Sequence, residues 1–243
     1  IETALALGLL NIVRVLKYRL SLKFRFNTLC RLRIKEPKGP FFSCVIEPNK
    51  RLISSVSLFQ STLLFSRWPS VQSNIPPAWL TNPFNSKEHF IFDCDWWLIP
   101  DFDKDIGDIK IIWELSRMGW ILALAQSGSH GKKKYLKQLN VWLADWCSKN
   151  SPFKGPNWKC GQEASIRIIH ISAGALILKQ VHSATPALIN LIRIHLQRIE
   201  PTLFYAISQD NNHGTSEAAA LFIGGSWLSS VGDKTGKRWE NDD

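Results

Sequence analysis

The sequence predicts an all-α fold built from helical hairpins. Three observations carry that expectation: apolar residues recur at helical spacing from residue 108 onward, short polar turns separate those stretches, and strand and helix patterns do not alternate as a parallel sheet requires. At 243 residues there is room for one or two domains. With 45% hydrophobic and 21% charged residues the composition lies near the globular average, which excludes a disordered or low-complexity chain.

Residues 1–60 hold 11 of the 30 Lys/Arg but three of the 20 Asp/Glu, so the net charge of +10 belongs mostly to an N-terminal arm. The expected division is therefore a basic arm and connecting segment over 1–75 and a helical domain over 76–243. Within the arm, Arg14, Lys17, Arg19, Lys23, Arg25, Arg31 and Arg33 alternate with apolar residues. That pattern is shared by a solvated helix face and by a contact to an anionic surface. No nucleic-acid partner is expected, because no recognisable reading element accompanies the charge. The apolar stretch 4–10 is too short for a membrane span, which needs about 20 residues. The sequence opens at Ile1 rather than Met, as it would after removal of a leader or when a sequence begins mid-protein.

The Pro-, Ser- and Asn-rich stretch 69–86 reads as a loop, and the aromatic, β-branched run 89–97 as a short strand. Helices follow. Over 108–126, Lys110, Glu114 and Arg117 fall at spacings of four and three and leave a wide apolar remainder that includes Ile109, Ile112, Trp113, Leu115 and Trp120. A turn at Gly128-Ser129-His130-Gly131 leads into a second helix over 133–148, with Tyr135, Leu139, Trp142 and Trp146 on one face. The pair forms a hairpin. A third helix is predicted over 162–179, and a fourth opens with Thr185 as N-cap and Pro186 at its first position, stopping at Glu200-Pro201. A fifth follows Gly214, where Ala218, Ala219, Ala220, Gly224 and Gly225 give a small-residue face suited to close packing.

Several familiar signatures fail on their own chemistry. The run beginning at Asp101 imitates a calcium loop but has Ile106 where glycine belongs and Ile112 where the bidentate glutamate belongs, so it reads as an acidic turn entering a helix. Gly224-Gly225-Ser226-Trp227-Leu228 lacks the closing glycine of a nucleophile elbow, and Gly131-Lys132 lacks the upstream glycine of a phosphate loop. Cys30, Cys44, Cys94, Cys147 and Cys160 are odd in number and widely spaced, and they read as buried thiols. No metal or other cofactor is expected.

Polar residues concentrate at two helix entrances. One runs from Asn157 through Trp158, Lys159, Cys160, Gly161, Gln162 and Glu163 towards Arg167 and His170. Glu163, Arg167 and His170 share a face by spacing, consistent with an internal ion pair and a hydrogen-bonded histidine or with a substrate-facing set. The other is Gln209-Asp210-Asn211-Asn212-His213-Gly214. Capping needs one such residue; here amides, an imidazole and the helix's free N–H groups converge where an anion is favoured. Of the 11 tryptophans most fall on apolar stripes, and Trp158, in a polar loop, is the candidate for stacking on a sugar.

Three blocks resemble the N-terminal helical domain of heparinase II/III-like polysaccharide lyases, including relatives acting on alginate. They are Gly107-Asp108-Ile109-Lys110 with Trp113-Glu114-Leu115-Ser116-Arg117, the run 155–167, and the run 209–217, and the similarity spans most of residues 76–230. The resemblance implies an incomplete (α/α) toroid, normally followed by a β-sandwich, that cleaves uronic-acid polysaccharides by β-elimination in the periplasm or cell envelope. It implies that Asn212 and His213 neutralise the uronate carboxylate, while Trp158, Gln162, Glu163, Arg167, Gln209 and Asn211 contact the acidic polysaccharide. The reaction removes a weakly acidic C5 proton, so donors must stabilise charge that grows on the carboxylate. The family's proton-transferring tyrosine corresponds to a position beyond Asp243, and Tyr18, Tyr135 and Tyr205 are expected to be structural. A glycoside hydrolase, with Asp210 and Glu163 as its carboxylate pair, and a non-catalytic acidic-glycan-binding protein are the competing expectations.

Overall fold

The computed structural model describes residues 8–32, 34–43, 63–64, 68–69, 75–85 and 94–240. Its regular structure is almost wholly helical. After α1 (Gly8–Lys23) come α2 (Lys110–Ser116), α3 (Trp120–Ser129), α4 (Lys133–Lys149), α5 (Gly161–Ile177), α6 (Pro186–Ile199), α7 (Leu203–Ile207), α8 (Asn212–Ser230) and α9 (Gly236–Glu240). Among the described residues two short antiparallel pairs accompany the helices: β1 (Leu63–Leu64) with β2 (Trp68–Pro69), and β3 (Phe102–Asp103) with β4 (Gly107–Asp108). The strand expected over 89–97 lies outside the described residues as far as 93, and its remainder enters a 3-10 turn at Trp96–Leu98. No described helix is long and apolar enough to cross a membrane.

The helix expected over 108–126 is two helices. The chain breaks at Met118, which adopts a left-handed φ of 64° and is fully buried. Periodicity alone misses this because apolar residues continue through the break. Burial of Met118 and a hydrogen bond from the Trp120 indole to the Leu115 carbonyl (3.1 Å) hold the corner. The acidic run before it folds as the β3–β4 hairpin. Asp103 Oδ1 accepts from the Asp105 and Ile106 backbone N–H groups, and Asp108 Oδ1 accepts from Lys110 N at the entry to α2.

Farther along, the expected boundaries hold to within a few residues. The α3–α4 hairpin turns at Gly131, whose φ of 82° suits glycine. Thr185 caps α6 by accepting from Leu188 N, and its hydroxyl donates to the Phe41 carbonyl at 2.7 Å. Asn140 and Gln180 fasten the same segment: Asn140 Oδ1 accepts from the Phe41 and Phe42 N–H groups, and Gln180 Oε1 from Ser43 N. Phe41 and Phe42 are buried in the main core, so this part of the arm is built into the helical body.

Tryptophans dominate that core. Trp79, Trp120 and Trp142 pack with ring centroids 5.3–6.4 Å apart, and Trp146 and Trp158 pack at 5.7 Å around His195. Small residues let the helices approach. A Cβ on Gly174 of α5 would stand 2.5 Å from Ile121 Cγ2 on α3, and one on Gly224 of α8 would stand 2.7 Å from Leu196 Cδ2 on α6. Ile121 is fully buried and stiff at χ1, so it cannot yield cheaply. Gly174→Ala adds up to about 1 kcal/mol of helix propensity but overpacks at about 1–3 kcal/mol. A net loss of stability is expected, read as a lower urea midpoint with an unchanged m-value.

Candidate active site

The site is organised by the chain between α4 and α5. Gly155, at φ 74°, starts a 3-10 turn at Pro156–Trp158 that delivers Lys159, Cys160 and Gly161 to the start of α5. Two buried arginines hold three successive carbonyls of this turn. Arg198, from α6, donates through Nε to Trp158 O (2.7 Å), through Nη2 to Lys159 O (2.6 Å) and through Nη1 to Thr202 Oγ1 (3.2 Å), and its guanidinium lies 3.7 Å from the Trp96 ring centroid. Arg167, from α5, donates through Nη2 to Asn157 O (2.8 Å) and through Nε to His195 Nε2 (2.9 Å). Because His195 Nε2 accepts, its proton sits on Nδ1, which donates to Leu191 O at 2.8 Å. Burial, then the Arg167 charge, push His195 well below its ordinary range and keep it neutral.

Beside this turn lies a cavity of about 660 Å³, walled by residues from α1, the Trp96 turn, the β3–β4 hairpin, α2, α5, α6, α7 and α8. Gln162, Glu163, Gln209 and His213 of the expected site residues line it. The other four do not. Trp158 is 1% exposed, with its indole donating to Asn150 O, so it is core and offers no face to a sugar. Arg167 is fully buried between the Trp146 and Trp158 rings, its centre 5.1 and 5.3 Å from their centroids, and it cannot reach a substrate carboxylate. Its helical spacing from Glu163 is as expected, but the side chain turns inward. Asn211 is an N-cap whose Oδ1 accepts from His213 N at 2.9 Å, and Asn212 is exposed outside the cavity wall. Of the Asn-His step, His213 alone reaches the cavity. Asp210 is exposed and also off the wall, which removes the Asp210/Glu163 pair expected for a hydrolase.

Glu163 pairs with Arg117 rather than Arg167. Arg117 is bidentate to it (Nε–Oε2 2.8 Å, Nη2–Oε1 2.9 Å) and binds Glu114 through Nη1 at 2.6 Å, an arrangement that raises the arginine further. His170 follows as a structural partner, its Nδ1 2.6 Å from the Arg117 carbonyl. Lys159 reaches Asp101 (3.2 Å) and the Ile99 carbonyl, and Lys110 reaches Asp108 at 3.5 Å. The wall is thus close to charge-balanced. Between the ion pairs stand Tyr18, Trp97, Phe102, Trp113 and Tyr205. Tyr18 and Tyr205, expected to be structural, stack on each other at 4.0 Å on the cavity wall. Burial raises both phenols, so each stays protonated at neutral pH.

Sequence reasoning missed Glu217 and Arg198. Both interrupt otherwise apolar helical stripes: Arg198 follows Leu188, Leu191, Ile192 and His195, and Glu217 precedes Ala220, Leu221, Gly224 and Leu228. A charge on a core-facing stripe was the available signal. The Glu217 carboxyl is 2% exposed, Oε2 has no hydrogen-bond partner among the described residues, and a Cβ on Gly161 would stand 2.5 Å from Oε1. Desolvation raises it to about 8, against the attraction of Arg198, so at neutral pH it carries a proton. His213, one turn earlier, is lowered by burial and raised less by Glu163, and its Nδ1 lies 3.9 Å from Cys160 Sγ. Burial raises the Cys160 thiol, so the pair is a neutral thiol beside a neutral imidazole rather than an ion pair.

No family model, curated protein or solved structure matches the chain. The fold and the cavity define an all-α protein with an open, aromatic and amide-lined cleft that holds a neutral histidine and a neutral carboxyl.

Two outcomes follow for stability. Glu217 is protonated in the folded chain up to about pH 8 but ionises from about 4.5 when unfolded, so the native state holds the extra proton across that window. Stability contributed by this group is therefore lost as pH rises from 4.5 towards 8. Glu217→Gln is expected to flatten that slope in urea midpoints measured across the window; an unaltered slope contradicts the assignment. Arg167→Ala strips His195 Nε2 and the Asn157 carbonyl of their donor, at about 1–3 kcal/mol for each acceptor left unpaired, and is expected to lower the urea midpoint accordingly.

Proposed function

We propose that the chain is the helical part of a polysaccharide lyase, its helices forming part of an (α/α) toroid, that cleaves a uronic-acid-containing polysaccharide such as a heparan- or alginate-like chain by β-elimination. The observation that carries this reading is the position of His213: it stands on the wall of the cavity with the Gln162 and Gln209 amides, all three supplied by the two helix entrances whose sequence resembles the lyases. In β-elimination a base takes the C5 proton, the C4–O bond breaks, and the electron pair of the C5–H bond becomes the C4–C5 double bond while the departing oxygen is protonated. The carboxylate on C5 gains charge in between.

Neutral donors suit that demand. The imidazole of His213 and the two amides can hold the carboxylate without having to ionise, and their fixed positions supply stabilisation as charge develops. Arg117 and Lys159 add positive potential, moderated by Glu163 and Asp101. Tyr205 is the phenol of the cleft nearest in sequence to His213; burial keeps it protonated, so it can donate to the leaving oxygen, while the C5 proton goes to the separate proton-transferring tyrosine that the resemblance implies. Trp97 and Phe102 offer the apolar surfaces on which pyranose faces pack, in place of Trp158.

A panel of uronate polymers, assayed with the natural full-length protein for the ultraviolet absorbance of unsaturated ends, tests this reading. Wild type is expected to generate unsaturated ends, and His213→Ala to lower kcat by about 100-fold or more with a smaller change in KM. Saturated products would make the protein a hydrolase, and binding without turnover a non-catalytic glycan-binding protein.

A further inference from the structure

α1 presents two faces of opposite character. Val15, Tyr18 and Leu22 turn towards the protein, where Tyr18 stacks on Tyr205 and both Tyr18 and Leu22 line the cavity. The other face carries Leu9, Val13, Leu16 and Leu20, at successive spacings of four, three and four residues. At about 100° per residue these four fall on one continuous stripe. They are 50–79% exposed, and Leu10, Phe24 and Phe26 beside them are 63%, 55% and 70% exposed. Single exposed leucines are ordinary, but an unbroken apolar stripe of this length marks a docking surface.

Charge identifies what docks there. Residues 8–26 contain no Asp or Glu and five cations, Arg14, Lys17, Arg19, Lys23 and Arg25. Three have partners within the protein: Arg14 lies over the Phe204 ring and bonds Asn11, Arg25 reaches Asp95, and Lys23 lies over the neighbouring, exposed Phe24 ring. Lys17, Arg19 and Lys23 are exposed and flank the stripe, Lys17 on one side and Arg19 and Lys23 on the other, where their methylene stems can lie along the leucines with the charged heads raised. An acidic polysaccharide would neutralise the cations and leave the leucines in water. A neutral protein groove would cover the leucines and strand the cations. An anionic lipid surface satisfies both.

We infer that α1 is a membrane-surface helix, lying in the interfacial plane of an anionic bilayer with Leu9, Val13, Leu16 and Leu20 among the upper acyl chains and Lys17, Arg19 and Lys23 at the phosphates. It lies on the membrane and does not span it. Because the opposite face of the same helix walls the cavity, the cavity sits beside the lipid surface. This inference does not depend on the lyase reading.

The test is co-sedimentation of the full chain with vesicles of phosphatidylcholine alone and of phosphatidylcholine mixed equally with phosphatidylglycerol. Binding to the anionic vesicles is expected to exceed binding to the neutral ones by about tenfold or more and to weaken with salt. Lys17→Glu with Lys23→Glu, and separately Val13→Asp with Leu16→Asp, are each expected to lower the anionic-vesicle affinity by about tenfold or more. Both pairs are exposed, so far-UV circular dichroism and the thermal midpoint are expected to stay at wild-type values. Absence of vesicle binding overturns the inference. So does binding that survives the aspartate pair, which would make the attraction purely electrostatic, as to an acidic glycan. Wild-type sedimentation as a dimer that the aspartate pair dissolves overturns it as well, since a second copy would then own the stripe.

Discussion

Everything at the cavity depends on how two buried guanidinium groups hold one turn of chain. Arg167 and Arg198 come from different helices, yet between them they bind the carbonyls of Asn157, Trp158 and Lys159, the residues that immediately precede α5. A short turn buried under tryptophans leaves carbonyls that water cannot reach, and each would cost about 1–3 kcal/mol if unpaired. Arginine solves this because its planar fork donates in several fixed directions at once. With the turn fixed, Cys160, Gln162 and Glu163 are fixed on the cavity wall.

The same clamp explains an unusual electrostatic interior. Two buried cations sit without a bonded carboxylate among the described residues, and the surroundings adapt around them: His195 stays neutral so that it can accept from Arg167, and the Arg167 guanidinium is sandwiched by Trp146 and Trp158. Burial lowers Arg167 to about 10, which leaves it charged at neutral pH. Glu217, near Arg198 but not bonded to it, stays protonated. The interior therefore tolerates cations through carbonyls and aromatic faces, and leaves a neutral acid and a neutral imidazole facing the cavity.

Much of the helical framework was legible in the sequence, because α4, α5 and α6 carry long apolar periodicities and clear entry signals such as Thr185-Pro186. The break at Met118 was not, since a left-handed corner inside an apolar run leaves no mark on periodicity. The site was half legible. Polar density at helix entrances located Gln162, Glu163, Gln209 and His213, but spacing along a helix says which residues share a face and not whether that face looks inward, so Arg167 and Trp158 were misplaced. Tyr18, Glu217 and Arg198 come from three separate helices, and only the packing of α1, α6 and α8 brings them to one wall.

The proposed lyase activity requires this cleft to hold an acidic sugar. The most direct measurement is a crystal structure of the protein with a uronate oligosaccharide. The sugar is expected in the cleft, its carboxylate at about 3 Å from the His213 ring and from an amide of Gln162 or Gln209, with a ring face on Trp97 or Phe102. An oligosaccharide bound elsewhere on the surface while the cleft holds only water would contradict it.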